Sequence, residues 1–372
     1  MSKRANPNSA STTAPAKRAA GAGGSASTAA PLVDTTAESA SSLDSCVLLA
    51  QQGEGRPRVR MPWVGFGTYK LPKAKQAVTS ALRSGYRLVD TAFIYGGEKT
   101  EPEVGAALEA VLATRPRDAV FVTTKHWRKF HGYNESLKCL QTSLRRLRLD
   151  HVDLWLMHWP GPAWTTMNRR NDMIEQHGAW YYAAAGHEEA NIAALRAETW
   201  RGMEEALARG WCRAIGVSNF TVEHLRTLKT TARVWPPAVN QVELHPYHQQ
   251  RELQAYCAQE GIVLQAYASL GGQDASRAKL EALGGSLLAS PAVLGAAAAH
   301  GVTAAQVLLR WALQKQLATI PKSSSEARML ENGAVFGFAL SSQEMAALDA
   351  LEQGDAGRLC WKNDPLRMLT FS

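Results

Sequence analysis

The sequence predicts an α/β fold: one (β/α)8 TIM barrel, with a long insertion after strand 4 and a disordered N-terminal extension. Three observations lead to it. Eight short β-rich runs recur between Val64 and Pro321. Helix-patterned stretches separate most of them, and eight alternating units indicate a closed barrel rather than an open sheet. Asp90, Lys125 and His158 each end a separate apolar run, and the C-terminal strand ends of such a barrel share one face.

Residues 1–45 are rich in Ala, Ser, Thr and Gly, with almost no large apolar residue before Leu32. Such a stretch cannot bury a core and is expected to be disordered. It carries no acid before Asp34, so it reads either as a plain extension or as an organelle transit peptide. The barrel is expected over 58–372. Its strand runs are Val64–Thr68, Arg87–Asp90, Val120–Thr123, Asp153–Met157, Ala214–Val217, Ala238–Gln241, Val263–Ala266 and Ala318–Pro321.

Between the runs, Asn134 is a candidate cap for a helix with the stripe Leu137, Leu140, Leu144 and Leu147. Thr221 stands before Val222, Leu225 and Leu228, and Thr303 before Val307, Leu308 and Trp311. Ser341 and Glu344 have the spacing of a capping box. The insertion, 161–197, contains Trp164, Trp180, Tyr181 and Tyr182. It is too long for an ordinary strand-to-helix loop, and its place after strand 4 puts it at the active face. The chain ends in Gly357–Pro365 and a short remainder beyond the last helix pattern.

One barrel can use most of the 372 residues, and 45% apolar with 20% charged residues is ordinary for a globular chain. No apolar run reaches the roughly 18–20 residues of a membrane span. The five cysteines are scattered and lack a C-x-x-C pair. That favours a reducing compartment over a disulfide framework or structural zinc. The expected location is cytoplasmic, or a plastid or mitochondrion if the extension is a transit peptide. Part of the net charge of +8 sits on Lys3, Arg4, Lys17 and Arg18, and the rest is spread over stretches such as Arg145–Arg148. This distribution reads as solvated helix faces and a basic tail, with an anionic cofactor rather than nucleic acid as the functional partner.

Tyr95 lies five residues beyond Asp90. A phenol, an ammonium, a carboxylate and an imidazole together can deliver a proton to a carbonyl oxygen, given a hydride from elsewhere. Taken singly, a Tyr is usually packing, an Asp-Thr a turn and a His a satisfied core residue; their joint placement at successive strand ends reverses that. An unperturbed tyrosine, with a pKa of about 10, is a hesitant acid. A nearby Lys125 ammonium would favour the phenolate, Asp90 would hold that lysine, and His158 would orient the carbonyl.

Seven stretches carry a family likeness: Met61–Thr68, Asp90–Glu98, Lys125–Trp127, Asp153–Pro160, Ile215–Phe220, Val239–Pro246 and Ile320–Ser323, the last followed by Arg328, Glu331 and Asn332. In this order and at these unit ends, the chain resembles the aldo-keto reductase family. The resemblance implies NADPH-dependent reduction of aldehydes and ketones to alcohols, with NADPH/NADP+ as cofactor and Tyr95 as proton donor among Asp90, Lys125 and His158. It implies cofactor contacts from Gly67, Thr68, Asp90 and Leu270, carboxamide ligands in Ser218, Asn219 and Gln241, and stacking by Tyr267. Lys322, Ser323 and Arg328 match the 2′-phosphate group, where two cations favour NADPH over NADH. Glu331 and Asn332 match the adenosine end, and Trp127, His158 and Trp159 the substrate wall.

The chain departs from the family at Ala268, where a serine is usual, and Ser269 follows it. The loop after Tyr95 is longer than usual, so either Glu98 or Glu101 corresponds to the family glutamate. The insertion falls where the family recognises substrate. His245 and His248 have metal-ligand spacing, but His245 belongs to the Leu-His-Pro run of the likeness and Pro246 disfavours a helix between them; no metal is expected. The expected partner is a small carbonyl compound, with no nucleic acid, no membrane and a monomeric chain. The alternative function is an NADPH-binding regulatory subunit with little turnover.

Overall fold

In the computed structural model, which describes residues 40–162, 189–272 and 275–360, the eight β-rich runs become eight parallel strands. An antiparallel hairpin precedes them, β1 (Cys46–Leu48) with β2 (Arg60–Pro62). The barrel strands follow in chain order: β3 (Phe66–Gly67), β4 (Leu88–Asp90), β5 (Phe121–His126), β6 (Val152–Met157), β7 (Cys212–Ser218), β8 (Val239–Glu243), β9 (Val263–Tyr267) and β10 (Ala318–Thr319). Each pairs with its sequence neighbour. The first and last also meet: Gly65 N donates to Thr319 O and Thr319 N to Trp63 O, both at 2.8 Å, and Gly67 N to Pro321 O at 3.0 Å. That ladder closes the barrel.

Every residue of β5 and β6 is buried. Strands covered by helices outside and by side chains inside have no solvent face, so their sequences show no polar alternation. The surrounding helices are α1 (Ala74–Arg83), α2 (Thr100–Leu112), α3 (Tyr133–Leu147), α4 (Glu189–Ala208), α5 (Val222–Lys229), α6 (Arg251–Glu260), α7 (Arg277–Ala282), α8 (Pro291–His300), α9 (Ala304–Gln314), α10 (Glu326–Gly333) and α11 (Ser342–Asp349). Thr221, Thr303 and Ser341 cap α5, α9 and α11, each answered by the side chain three residues on. Asn134 does not cap α3. That helix starts one residue earlier behind Gly132, whose φ of 111° lets the chain turn in, and Gly132 N donates to Thr199 Oγ1 of α4 at 2.8 Å instead. The stripe Leu137, Leu140, Leu144 and Leu147 is buried as expected.

Of the expected N-terminal extension, residues 1–39 lie outside the described residues. Residues 40–45 lie on the barrel, with Ala40 buried and Arg87 Nε donating to Asp44 Oδ1 at 2.8 Å. The fold thus begins before composition suggested, because a small residue can pack flush without an apolar run to announce it. The hairpin was not anticipated either. Its Gln52 imitates a backbone partner: Nε2 donates to Ile215 O at 2.8 Å, and Oε1 accepts from Ile215 N at 2.7 Å. Most of the insertion, with Trp164, Trp180, Tyr181 and Tyr182, and the chain beyond Cys360 lie outside the described residues. Residues 189–197 are the opening turns of α4 rather than loop.

Gly105 sets how closely α2 approaches α3. A methyl there would run into the Arg146 carbonyl and stand 2.9 Å from Leu147 Cα. Gly105→Ala is expected to lower stability by about 1–3 kcal/mol, the range for overpacking. Denaturant midpoints check this; an unchanged midpoint would show that the two helices can part.

Candidate active site

Successive strand ends bring the four polar residues to one mouth. Lys125 leaves β5 with no solvent exposure, and its ammonium has three acceptors: Asp90 Oδ1 at 2.6 Å, Thr91 O at 2.9 Å and Tyr95 OH at 3.1 Å. An ammonium has three hydrogens and no lone pair, so it can only donate. The Tyr95 oxygen therefore accepts from Lys125, which leaves the phenol hydrogen for another partner. Tyr95 is half-buried, between Tyr69 with ring centroids 5.1 Å apart and His158 at 5.9 Å. Trp127, half-buried, stands 5.9 Å from His158. Trp159 is only 2% exposed, stacked behind His158 and beneath Arg128. Its ring lies against the imidazole, which is itself buried at 7% exposure.

Burial governs the electrostatics. It pushes the Asp90 carboxyl up, against the opposing pull of Lys125 and Gln241. It pushes the Lys125 ammonium down, against Asp90. His158 is held well below the ordinary histidine value by burial first, then by Lys125, His126 and Arg128, so its imidazole is neutral. The Tyr95 phenol lies well above its ordinary value because of burial and then the Asp90 carboxylate. Lys125, whose ammonium favours the phenolate, does not outweigh these two causes. Its charge is answered by Asp90 at 2.6 Å, so desolvation dominates and the phenol keeps its proton.

Beside this cluster lies a second hydrogen-bonded group. Ser218 Oγ donates to Gln241 O at 2.7 Å, and Gln241 Nε2 to Asp90 Oδ2 at 2.8 Å. Asn219 adopts φ 63°, a conformation that asparagine tolerates better than most residues. Its Nδ2 donates to His158 O at 3.0 Å, and its Oδ1 accepts from Tyr267 OH at 2.7 Å. Thr68 donates to Asp90 O through both N, at 3.0 Å, and Oγ1, at 2.9 Å. At Gly67 a methyl would stand 2.8 Å from Ile320 O. Leu270 is half-buried after β9. Ser269 Oγ donates back to Ala266 O at 3.2 Å, so it does not replace the hydroxyl missing at Ala268, which itself sits at φ 52°.

Lys322 and Ser323 follow β10; Arg328 and Glu331 are exposed on α10, and Asn332 is buried there. In barrel order β10 is four strands from β6, so this group stands across the mouth from the end of β6. Of the two glutamates after Tyr95, Glu101 is the buried one, accepting from Thr124 Oγ1 at 2.7 Å beside Lys125. Glu98 ties the lengthened loop to Lys129 at 3.0 Å and Arg146 at 2.5 Å. His245 bonds Glu243 Oε1 at 3.0 Å and His248 bonds Gly354 O at 2.9 Å, both structural engagements. Sequence reasoning missed Tyr69, the Thr91 carbonyl and Gln265, whose Oε1 accepts from Gln241 Nε2 at 2.7 Å. A glutamine inside the apolar run of β9 was the one available signal.

The sequence profile of the Aldo/keto reductase family matches residues 61–353. Glyoxal reductase of Bacillus subtilis (strain 168) is 37% identical over 301 residues, covering 80% of this chain and 91% of that protein. Aldo-keto reductase family 1 member A1 of Homo sapiens is 37% identical over 316 residues, covering 83% and 90%. Among solved structures, an aldo/keto reductase from Brucella melitensis has a TM-score of 0.65 and 32% identity, covering 82% of this chain and 98% of that one. A Bombyx mori aldo-keto reductase in complex with NADP has a TM-score of 0.67 and 26% identity, covering 87% and 96%. The chain belongs to the aldo/keto reductase family and is an NADP-dependent oxidoreductase.

Proposed function

We propose that the chain reduces aldehydes or ketones to alcohols, with Tyr95 as the proton donor. The observation that carries this reading is the three-way engagement of Lys125, which holds the Tyr95 oxygen at 3.1 Å while leaving its hydrogen undirected. A carbonyl oxygen seated between Tyr95 and the neutral His158 meets a phenol hydrogen. NADPH, when bound, supplies the hydride that the side chains cannot. A carbonyl oxygen gaining charge there as its carbon is reduced would take the Tyr95 proton. The phenolate left behind lies beside the Lys125 ammonium until solvent returns a proton.

Residues around the mouth suit that cofactor. Ser218, Asn219 and Gln241 offer hydroxyl and amide groups for a carboxamide, and Tyr267 an aromatic face. Lys322 and Arg328 offer cations for the 2′-phosphate, next to the N-terminus of α10, which carries no side-chain cap. NADPH consumption should be measured with an activated aromatic aldehyde, a ketone, a sugar, a quinone and glyoxal, the substrate named for the Bacillus relative. Turnover with any carbonyl class supports the proposal. Tight NADPH binding with no turnover across the panel would make the chain a cofactor-binding subunit instead.

Arg328→Ala is expected to weaken NADPH far more than NADH. A charge-assisted bond contributes about 1.5–3 kcal/mol, roughly 10- to 150-fold in affinity. Because Arg328 is exposed, the loss should fall toward the lower end of that range. Fluorescence titration with both cofactors decides; equal losses would show that Arg328 reads something other than the phosphate. A pH profile provides a further check. With His158 held well below the ordinary 6.5, kcat/KM should show no inflection there from this residue. An inflection near that value that disappears in His158→Gln would contradict the neutral imidazole.

A further inference from the structure

Gln265 is an amide inside an otherwise apolar strand, in the β9 run Val-Leu-Gln-Ala-Tyr, with no solvent exposure. A buried amide must find hydrogen-bond partners or destabilise the fold. Gln265 finds them in a line. Its Oε1 accepts from Gln241 Nε2 at 2.7 Å, and its Nε2 donates to Met61 Sδ at 3.8 Å. Gln241 Nε2 also donates to Asp90 Oδ2 at 2.8 Å, and Asp90 Oδ1 accepts from Lys125 at 2.6 Å. The line runs from the hairpin residue Met61 through β9 and β8 to the lysine that holds Tyr95.

The direction of every bond in this line follows from Asp90. A carboxylate paired with an ammonium can only accept, so the Gln241 atom facing it is the amide nitrogen. That nitrogen carries two hydrogens, and the second points at Gln265, which must answer with oxygen. The Gln265 nitrogen is then left to a thioether, a weak acceptor. With both Gln241 hydrogens engaged, its Oε1 is the atom left for a ligand, and a ligand group facing it must donate.

We propose that Gln265 is a positioning residue that fixes the amide orientation of Gln241, so that the site presents a carbonyl acceptor to the amino group of the nicotinamide carboxamide. This rests on the reading of Gln241 as a carboxamide contact. Without the Gln265 acceptor, one Gln241 hydrogen is buried unpaired, and the amide no longer has a single favoured orientation.

The test compares NADPH with 2′-phospho-ADP-ribose, which keeps the 2′-phosphate and pyrophosphate but has no nicotinamide. Gln265→Leu removes the acceptor at similar volume, and Gln265→Met provides a straight-chain second variant should the first fold poorly. NADPH affinity, from fluorescence titration, is expected to fall roughly 2- to 12-fold, the scale of one net hydrogen bond. Affinity for the nicotinamide-free fragment, from displacement of NADPH fluorescence, is expected to stay unchanged. A purely structural role would move both ligands together, and equal losses overturn the proposal. Unchanged NADPH affinity in both Gln265 variants, while Gln241→Leu weakens it, overturns the proposal but leaves Gln241 as a contact. If Gln241→Leu itself leaves NADPH affinity unchanged, the reading of Gln241 fails and the proposal with it.

Discussion

Tyr95→Phe is expected to reduce turnover roughly 100-fold or more, the scale of a lost general acid, while NADPH still binds. The substitution keeps the ring between Tyr69 and His158 and removes one oxygen. Two consequences follow from the geometry. The carbonyl oxygen loses its proton source, and Lys125 Nζ loses the acceptor it has at 3.1 Å. Lys125 still has Asp90 at 2.6 Å and the Thr91 carbonyl at 2.9 Å, so the ion pair should survive and the fold with it. Single-turnover kinetics with saturating NADPH separate chemistry from binding. Near-wild-type turnover in a folded Tyr95→Phe protein would remove Tyr95 from the mechanism.

How much of the fold and the site is legible in the sequence depends on whether a residue acts through its own run or through a neighbour far along the chain. Asp90, Lys125 and His158 were readable because each ends an apolar run, and strand ends of a barrel converge. The caps at Thr221, Thr303 and Ser341 were readable because their partners lie three residues away. Asn134 failed as a cap because Gly132 takes its support from Thr199, in another helix. The packing of Trp159 against Arg128 joins two strand ends that no local pattern pairs. The raised phenol of Tyr95 is beyond local reading for a similar reason. Counting Lys125 alone predicts a lower value, but the proximity of Asp90 and the depth of the site set the sign. Barrel closure also rests on residues far apart in sequence, Trp63 to Gly67 against Thr319 and Pro321, whose pairing no local pattern announces.

Lys125→Met should impair both stability and turnover, and the two losses can be told apart. Met fills the stem of the lysine but leaves Asp90, 1% exposed, without its cation. Breaking a buried pair on one side destabilises by about 3–5 kcal/mol, because a charge is left uncompensated. The carboxyl can reduce that loss by keeping its proton. Lys125 is what pulls the Asp90 value down against burial, so removing it raises that value further. A carboxyl whose folded value is raised above its unfolded value makes the folded state bind more protons, and stability then falls as pH rises through the folded value. The deficit relative to wild type should therefore be largest near neutral pH and should shrink as pH falls through the raised Asp90 value. In the double variant Asp90→Asn with Lys125→Met there is no buried charge to strand, and most of the stability should return. Turnover should remain roughly 10²- to 10³-fold low, since the phenolate formed at Tyr95 would still lack the cation beside it. Denaturant midpoints at neutral and acid pH, with single-turnover rates for both variants, check this directly. Recovery of turnover together with stability in the double variant would make the pair a structural element alone.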